Sequence, residues 1–395
     1  MIILQVTIFL VIWTSKCAAG PNILDKIIPE DALLNFTDLS KKYGHTAEEH
    51  NVVTEDGYIL KLFHIPGESK KPIFIMHGLG DSADSYVLRG HKSLAVTLAN
   101  AGYDVWLGNN RGNKYSRRHS NLNPDKDNKF WQFSFHEIGI YDLPAMIDFV
   151  LGKTKSDKVD VIAHSQGTTA FFALLATKTV YNDKINVLAA LGPVAFLGNL
   201  SPPISTIAIT GPVINQVLIN MNVEEIAANE TAARELQTRL CSLGFIGGNF
   251  CRFGLIFPLF GFDPEGLEAE FAPIALAHFP AGLSRKSLVH YDQLFYSKRF
   301  SSFDFGPSMN LKIYKSFGPP DYDLNKVTTR IALYLGRNDP FAKIKDAELL
   351  KEILPNVVEF KIIDSNKWTH VDFAWANDMD KYLFPLIFDI LKKFD

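Results

Sequence analysis

Apolar strands alternate with helical segments through most of the chain. Two β-rich runs, 52–54 and 58–63, flank Asp56-Gly57, and an Asp-Gly pair between such runs predicts a β-hairpin. Further short apolar runs predict buried strands at 72–76, 103–107, 159–163, 185–191, 330–336 and 357–363. Segments with helical spacing lie between them, at 94–98, 138–151, 346–353 and 384–391. This alternation predicts an α/β fold with a mostly parallel central sheet flanked by helices.

The alternation stops between residues 197 and 325. We interpret 197–325 as a mainly helical cap or lid, inserted between two parts of one core. The core then comprises residues 20–196 and 326–395, which carry all the predicted strands.

Two long apolar stretches belong wholly or partly to this insertion. Residues 185–223 carry no charged side chain, and 240–262 carry only Arg252. Pro202 and Pro212 interrupt the first stretch, so no transmembrane span is predicted. Two interpretations of these stretches stay open: packing onto the core, or lining a lipid site or an interface.

The first 19 residues differ from the rest. An apolar run at 2–13 is followed by Lys16 and by small residues up to Ala19. This pattern predicts a secretory signal peptide cleaved after Ala19, although no basic side chain precedes the run. The run is too short for a membrane anchor, which needs about 20 apolar residues.

Cysteine usage and glycosylation sequons agree with secretion. Removing the signal peptide leaves Cys241 and Cys251, which are expected to form a disulfide in an oxidising compartment; two buried free thiols are the alternative. Asn35 and Asn229 are the candidate glycosylation sites. A third sequon, at Asn199, is followed at once by a proline and is expected to be a poor acceptor.

Composition excludes some classes of function. Hydrophobic residues make up 47% of the 395-residue chain and charged residues 21%, which suffices for a large core. A net charge of −3 argues against nucleic acid as a partner. The 30 phenylalanines suggest apolar surface beyond an ordinary core.

Ser165 has the sequence surroundings of a catalytic nucleophile. It follows the predicted strand 159–163 and precedes a helical pattern that carries Phe171 and Leu174. This strand–turn–helix setting is typical of a G-x-S-x-G elbow, where small residues let strand and helix pass closely. Gly167 satisfies the pattern, and Ala163 replaces the first glycine with the smallest departure available.

The expected partners of Ser165 occur in the right order along the chain. In hydrolases of this type the nucleophile is followed by an acid and then by a histidine. Asp339 lies just after the predicted strand 330–336, and His370 is the only histidine after it. Asp364 and Asp372 stay open as alternative acids. The pattern predicts acyl transfer, with His370 as general base and Asp339 holding its tautomer.

The oxyanion of such a reaction needs fixed N–H donors, which we assign to the backbones of Gln166 and Leu79. His77 and Gly78 are expected to shape the loop of Leu79, and His164 is expected to be structural. No metal or cofactor site is predicted, because His45 and His50 lack the zinc-protease spacing and residues 78–80 lack that of a phosphate loop. The basic run 117–119 is expected to be solvated.

Taken together, these stretches resemble the acid lipase family, which includes gastric and lysosomal lipases. The resemblance covers residue 25 to the end, and the matching stretches are 51–63, 77–79, 106–113, 116–119, 130–135, 141–145, 164–167, 191–195 and 370–373. The resemblance implies an α/β-hydrolase core with a cap and lid, and cleavage of triacylglycerol or steryl ester bonds. It further implies a Ser165, Asp339 and His370 triad, oxyanion donors at Leu79 and Gln166, and a Cys241–Cys251 disulfide. The family usually has glycine at the position of Ala163, and the cap matches only loosely.

The sequence therefore predicts a secreted or lysosomal serine lipase acting on lipid esters at a lipid–water interface. Two alternatives stay open. One is an esterase that prefers steryl esters or short acyl chains. The other, from a different class, is a non-catalytic lipid carrier built on a lipase scaffold.

Overall fold

A computed structural model describes residues 28–69, 71–227 and 232–395. Eight strands form one sheet in the order β1-β2-β4-β3-β5-β6-β9-β10. These strands are β1 (Glu48–Val53), β2 (Ile59–Ile65), β3 (Pro72–Met76), β4 (Asp104–Gly108), β5 (Val159–His164), β6 (Ile185–Leu191), β9 (Arg330–Leu335) and β10 (Val357–Ile362). The predicted signal peptide lies outside the described residues, as does the sequon at Asn229.

The sheet is parallel except at one edge. β1 and β2 pair as the predicted antiparallel hairpin, with Val53 opposite Ile59, and β2 pairs antiparallel with β4. From β4 through β3, β5, β6 and β9 to β10, every pairing is parallel. The prediction of a mostly parallel sheet is confirmed.

Helices follow the strands and cover the sheet. The longer ones are α1 (Phe36–Lys42), α2 (Leu94–Asn100), α3 (Leu143–Thr154), α4 (Gln166–Thr177), α5 (Ile204–Asn220), α6 (Ala232–Cys241), α7 (Gly244–Cys251), α8 (Ala272–His278), α9 (Arg285–Ser297), α10 (Pro307–Tyr314), α11 (Ile344–Ile353) and α12 (Phe384–Lys393). Short α-helical turns occur at Phe135–Glu137, Tyr181–Lys184, Phe257–Phe260, Asp372–Trp375 and Met379–Tyr382. Two π-helical turns, Ile138–Asp142 and Arg252–Ile256, precede α3 and follow α7.

Alternating side chains of the strands feed two hydrophobic clusters. In β3, Phe74 and Met76 belong to one cluster, whereas Ile73 and Ile75 belong to the other. Because successive side chains of a strand point to opposite faces, the two clusters lie on opposite sides of the sheet. Both faces are therefore buried, which explains why the central strands are continuously apolar.

The region between β6 and β9 is mainly helical. It contains α5 to α10 and a small two-stranded sheet in which β7 (Glu225–Ile226) pairs with β8 (Leu283–Ser284). We refer to residues 197–325 as the inserted segment. Among the described residues, no helix is both long and apolar enough to cross a membrane.

Candidate active site

Ser165 lies on a sharp turn between β5 and α4. Its φ of 52° and ψ of −120° put a non-glycine residue in a strained backbone conformation. The turn is tight because a Cβ at Gly167 would come within 2.8 Å of the Met76 carbonyl oxygen. Ala163 is fully buried within the strand, beside Met76 and Ala190. The small residues Ala163 and Gly167 thus fit the close packing of strand and helix that the sequence pattern predicts.

The structure brings Ser165, His370 and Asp339 together from three separate segments. His370 Nε2 lies 2.7 Å from Ser165 Oγ, and its Nδ1 lies 2.7 Å from Asp339 Oδ2. With a proton on Nδ1 donated to the carboxylate, Nε2 is free to accept the Ser165 hydroxyl proton. Such an arrangement can supply a nucleophile, a base and an orienting acid.

Asp339 is held as a carboxylate in a buried place. Its side chain is fully buried, and burial alone would raise the pKa of its carboxyl. The adjacent His370 ring outweighs this, together with the backbone N–H groups of Phe341 and Ala342, which donate to Oδ1 at 2.8 and 2.9 Å. The pKa of Asp339 is therefore below its usual range, and the carboxylate stays charged beside the imidazole.

The alternative acids do not reach the His370 ring. Asp372 is buried and accepts the Thr369 backbone N–H, and burial raises the pKa of its carboxyl to about 7. Asp364 is exposed.

His164 hydrogen-bonds the backbone of His370 rather than its ring, since His164 Nε2 lies 2.9 Å from the His370 carbonyl oxygen. Burial lowers the pKa of His164 to about 3, which keeps it neutral and fits its expected structural role.

Leu79 and Gln166 offer two backbone N–H groups near Ser165. Neither N–H has a hydrogen-bond acceptor among the described residues. The turn that carries Leu79 packs against the nucleophile, because a Cβ at Gly78 would lie 3.2 Å from Ser165 Cβ. Gln166 opens helix α4, whose positive N-terminal end faces Ser165. The two N–H groups can donate hydrogen bonds to the carbonyl oxygen of a substrate that becomes negatively charged when Ser165 attacks it.

His77 ties the Leu79 turn to the loop after β4. Its Nδ1 lies 2.8 Å from the Gly78 carbonyl oxygen, and its Nε2 lies 3.2 Å from both the Asn110 backbone nitrogen and Asn113 Nδ2. Burial lowers the pKa of His77 to about 4, so the ring stays neutral and accepts from these donors. The loop-shaping role expected for His77 has this physical basis.

A cavity of about 340 Å³ opens above the Ser165 hydroxyl, within the usual range for ligand pockets. Core residues form its floor, among them Leu79, Ser165 and His370. The inserted segment supplies most of the remaining lining, which is mainly apolar and includes Leu200, Ile204, Ile207, Ile214, Leu218, Leu259, Phe260, Phe279, Leu283, Leu288 and Phe295. The cavity suits an apolar chain next to the reacting hydroxyl.

Asp292 is a polar exception in this cavity that the sequence analysis missed. It lies on α9 and packs against α5, where a Cβ at Gly211 would collide with its carboxyl. Burial raises the pKa of Asp292 to about 7. Nothing in the sequence around Asp292 signals this position, because its helix carries apolar and polar residues side by side.

Covalent and surface features also bear on the earlier expectations. Cys241 and Cys251 form a disulfide, so the alternative of two free thiols is wrong. Asn35 is exposed at the N-terminus of α1, where its side chain accepts the Asp38 backbone N–H. Arg117 is not simply solvated, since it binds Glu225 of the inserted segment through two nitrogens, at 2.9 and 2.7 Å.

Comparison with known proteins bears on the family and the fold of the chain. A family model described as "alpha/beta hydrolase fold" matches residues 71–222, and one described as "Partial alpha/beta-hydrolase lipase region" matches residues 36–90. Lipase 1 of Drosophila melanogaster is 36% identical over 93% of this chain and 82% of its own. Gastric triacylglycerol lipase of Rattus norvegicus is 35% identical over 88% and 89%, respectively. Human lysosomal acid lipase/cholesteryl ester hydrolase is 32% identical over 99% and 98%.

The chain belongs to the acid lipase family. It is a carboxylic ester hydrolase with an α/β-hydrolase fold. A solved structure of a candidate lipase from Acinetobacter baumannii superposes with a TM-score of 0.52 at 14% identity, covering 95% of this acid lipase and all of that chain. At that identity the likeness bears on the fold alone.

Proposed function

We propose that this acid lipase is a serine lipase that hydrolyses acylglycerol esters through an acyl-enzyme, with Ser165 as nucleophile, His370 as general base and Asp339 as the orienting acid. The observation that carries the proposal is the unbroken hydrogen-bond chain from Ser165 through His370 to Asp339, with both links at 2.7 Å, beneath an apolar cavity.

Each group has one role in the reaction. Ser165 Oγ attacks the ester carbonyl while His370 Nε2 takes the hydroxyl proton of Ser165. The resulting oxyanion accepts hydrogen bonds from the backbone N–H groups of Leu79 and Gln166. His370 then gives the proton to the leaving alcohol, so the acyl group stays on Ser165. Water hydrolyses this acyl-enzyme by the same steps, again with His370 as base and then acid. Asp339 stabilises the imidazolium in both halves.

The proposal assigns residues 20–196 and 326–395 to the catalytic core and 197–325 to a cap or lid. Support comes from the cavity, since the inserted segment supplies most of its apolar lining. The relatives named gastric triacylglycerol lipase and lysosomal acid lipase/cholesteryl ester hydrolase point to the same ester class. The latter name keeps steryl esters as the alternative substrate.

We also propose that the inserted segment meets the lipid surface. On helix α7, the residues Phe245, Ile246 and Phe250 are 69%, 82% and 65% exposed to solvent. Its C-terminal residue Cys251 is joined by the disulfide to Cys241 at the end of α6, which restrains the loop between the two helices. A fixed cluster of exposed apolar side chains is typical of a lipid or interface contact.

A secreted or lysosomal location follows the same reasoning. The disulfide favours an oxidising compartment. The proposed signal peptide 1–19 and the sequons at Asn35 and Asn229 add sequence support. Release from cells, sensitivity to a glycosidase that removes N-linked glycans, and the N-terminal residue of the released protein test this part together.

One assay separates the catalytic interpretation from the lipid carrier. Hydrolysis of an emulsified long-chain triacylglycerol and of a soluble short-chain ester is measured for wild type, Ser165→Ala and the surface control Ser120→Ala. We expect both activities in wild type and in the control, and loss of both in Ser165→Ala. Turnover of the soluble ester alone would indicate an esterase, and no turnover that depends on Ser165 would favour the carrier.

A further inference from the structure

A second group of polar side chains lies at the sheet edge. Glu48 and His50 lie on β1 and His64 lies on β2, and one ligand atom from each lies within 4.8 Å of the others. The side chains of Glu48, His50 and His64 are 54%, 19% and 13% exposed. Among the described residues, this group of three is the one close enough to share a metal ion.

Strand geometry explains why these three side chains meet. Glu48 and His50 are two residues apart on one strand, so they point to the same face. The hairpin register puts His64 directly opposite Glu48. The Trp106 ring supports both imidazoles, with centroids 3.8 Å from His64 and 5.3 Å from His50. The group is therefore built by the register of the hairpin and fixed by one aromatic ring.

The distances fit a tetrahedral ion. Glu48 Oε2 lies 3.2 Å from His64 Nδ1 and 3.3 Å from His50 Nε2. Ligands about 2.0–2.1 Å from a tetrahedral Zn²⁺ ion are separated by about 3.3–3.4 Å. Two of the ligand-to-ligand distances that a tetrahedral zinc site requires are therefore already present without an ion. Two imidazoles and a carboxylate are also a donor set that suits zinc.

A carboxylate behind His64 sets its tautomer. Asp104 Oδ1 lies 2.7 Å from His64 Nε2, and Asp104 Oδ2 accepts the Trp106 indole N–H at 2.7 Å. When Nε2 carries the proton that Asp104 accepts, the lone pair of His64 Nδ1 points toward the Glu48 carboxylate. Two electron-rich atoms then face each other, which favours a cation between them. Carboxylate–histidine–metal arrangements of this kind are the usual second layer of zinc sites.

We propose that Glu48, His50 and His64 bind one Zn²⁺ ion, with Asp104 orienting the His64 ring. The bound ion joins β1 to β2 at the edge of the sheet. The three residues line a cavity of about 620 Å³ together with Lys153 and Ser156, so water or a small anion from this cavity can complete the coordination. The role is structural, because the group lies at the sheet edge, whereas Ser165 follows the central strand β5.

The test measures zinc uptake by the purified, untagged enzyme. Metal is removed with a chelator, and the protein is then dialysed against a low-micromolar Zn²⁺ solution at about pH 7.5. Bound zinc is counted by elemental analysis for wild type, His50→Gln/His64→Gln, Asp104→Asn and the control His45→Gln. His45 bonds Asn100 and lies outside the group. Hydrolysis of a soluble ester checks that each variant is folded.

We expect wild type and the His45 control to bind one ion more per molecule than the double variant. Affinity should fall about 10- to 100-fold in Asp104→Asn, as is typical when such a partner is altered. Co²⁺ in place of Zn²⁺ should give the visible absorption of a tetrahedral site in wild type and the His45 control, and none in the double variant. Equal zinc uptake by wild type and the folded double variant would overturn the proposal, and would leave His64 as a hydrogen-bonded bridge between Glu48 and Asp104.

Discussion

Asp292 should make long-chain ester hydrolysis depend on pH through the cavity itself. Its carboxyl lines the apolar cavity, and burial raises its pKa to about 7. Arg285, the arginine of the cavity lining, is engaged with Glu224 at 2.7 Å. Below about pH 7 the neutral carboxyl tolerates an apolar acyl chain, whereas above it a carboxylate occupies the cavity. The perturbation that removes this titration is Asp292→Asn.

The magnitude follows from the size of the shift. The folded state holds the proton up to about pH 7, whereas an unfolded aspartate loses it near 3.8. Between these values the unfolded state binds fewer protons, so the free energy of unfolding falls as the pH rises. At about 1.4 kcal/mol per tenfold change, the loss approaches about 4 kcal/mol above pH 7. Asp292→Asn should therefore stabilise the enzyme at pH 7.5 and hardly at all at pH 4.

The assay compares kcat/KM for an emulsified long-chain ester between wild type and Asp292→Asn from pH 4.5 to 8.5. Taking the ratio at each pH cancels the titration of groups that both proteins share. The ratio should be flat below pH 6, rise to about twofold at pH 7 and reach roughly tenfold at pH 8. The exposed Asp389→Asn substitution is the matched control. A ratio that stays flat over the whole range would show that Asp292 does not titrate against the bound acyl chain.

Three further predictions concern the triad, the disulfide and the exposed helix. Asp339→Asn should lower kcat by about 10⁴-fold with little change in KM, because the amide favours the wrong imidazole tautomer; a loss under tenfold in steady-state assays would remove Asp339 from that role. Replacing Cys241 and Cys251 together by serine should cost about 2–3 kcal/mol in chemical denaturation, since the bridge closes a loop of about ten residues; an unchanged midpoint would contradict this. Phe250→Ser should reduce hydrolysis of the emulsion while sparing the soluble ester, and equal effects on both substrates would argue against lipid contact by α7.

The central sheet and the order of the proposed catalytic residues could be read from the sequence. Buried parallel strands are short apolar runs, and the β6 prediction at 185–191 agrees with the structure residue for residue. Chain order pointed to Asp339 and His370 because Asp339 follows a predicted strand and His370 is the only histidine after it. These signals are local, or depend only on order along the chain.

Other features needed the three-dimensional arrangement. The group of Glu48, His50 and His64 depends on the hairpin register, and the sequence spacing of the histidines matches no zinc motif. The basic run at 117–119 looked solvated, yet Arg117 meets Glu225 more than a hundred residues later. Pairings over such distances leave no periodic pattern, so neither hydrophobic spacing nor local motifs reveal them.

Covalent labelling tests directly whether Ser165 is the nucleophile. The enzyme is treated with an organophosphate ester, which transfers its phosphoryl group to an activated serine and releases its leaving group. Water hydrolyses the phosphoryl-serine very slowly, so the adduct remains on the enzyme. Intact mass and peptide mapping then count and locate the adduct. We expect one adduct per molecule, on Ser165, with loss of ester hydrolysis in proportion, and much slower labelling in His370→Gln. Full-rate labelling of Ser165→Ala, or hydrolysis that survives complete modification of Ser165, would contradict this role of Ser165.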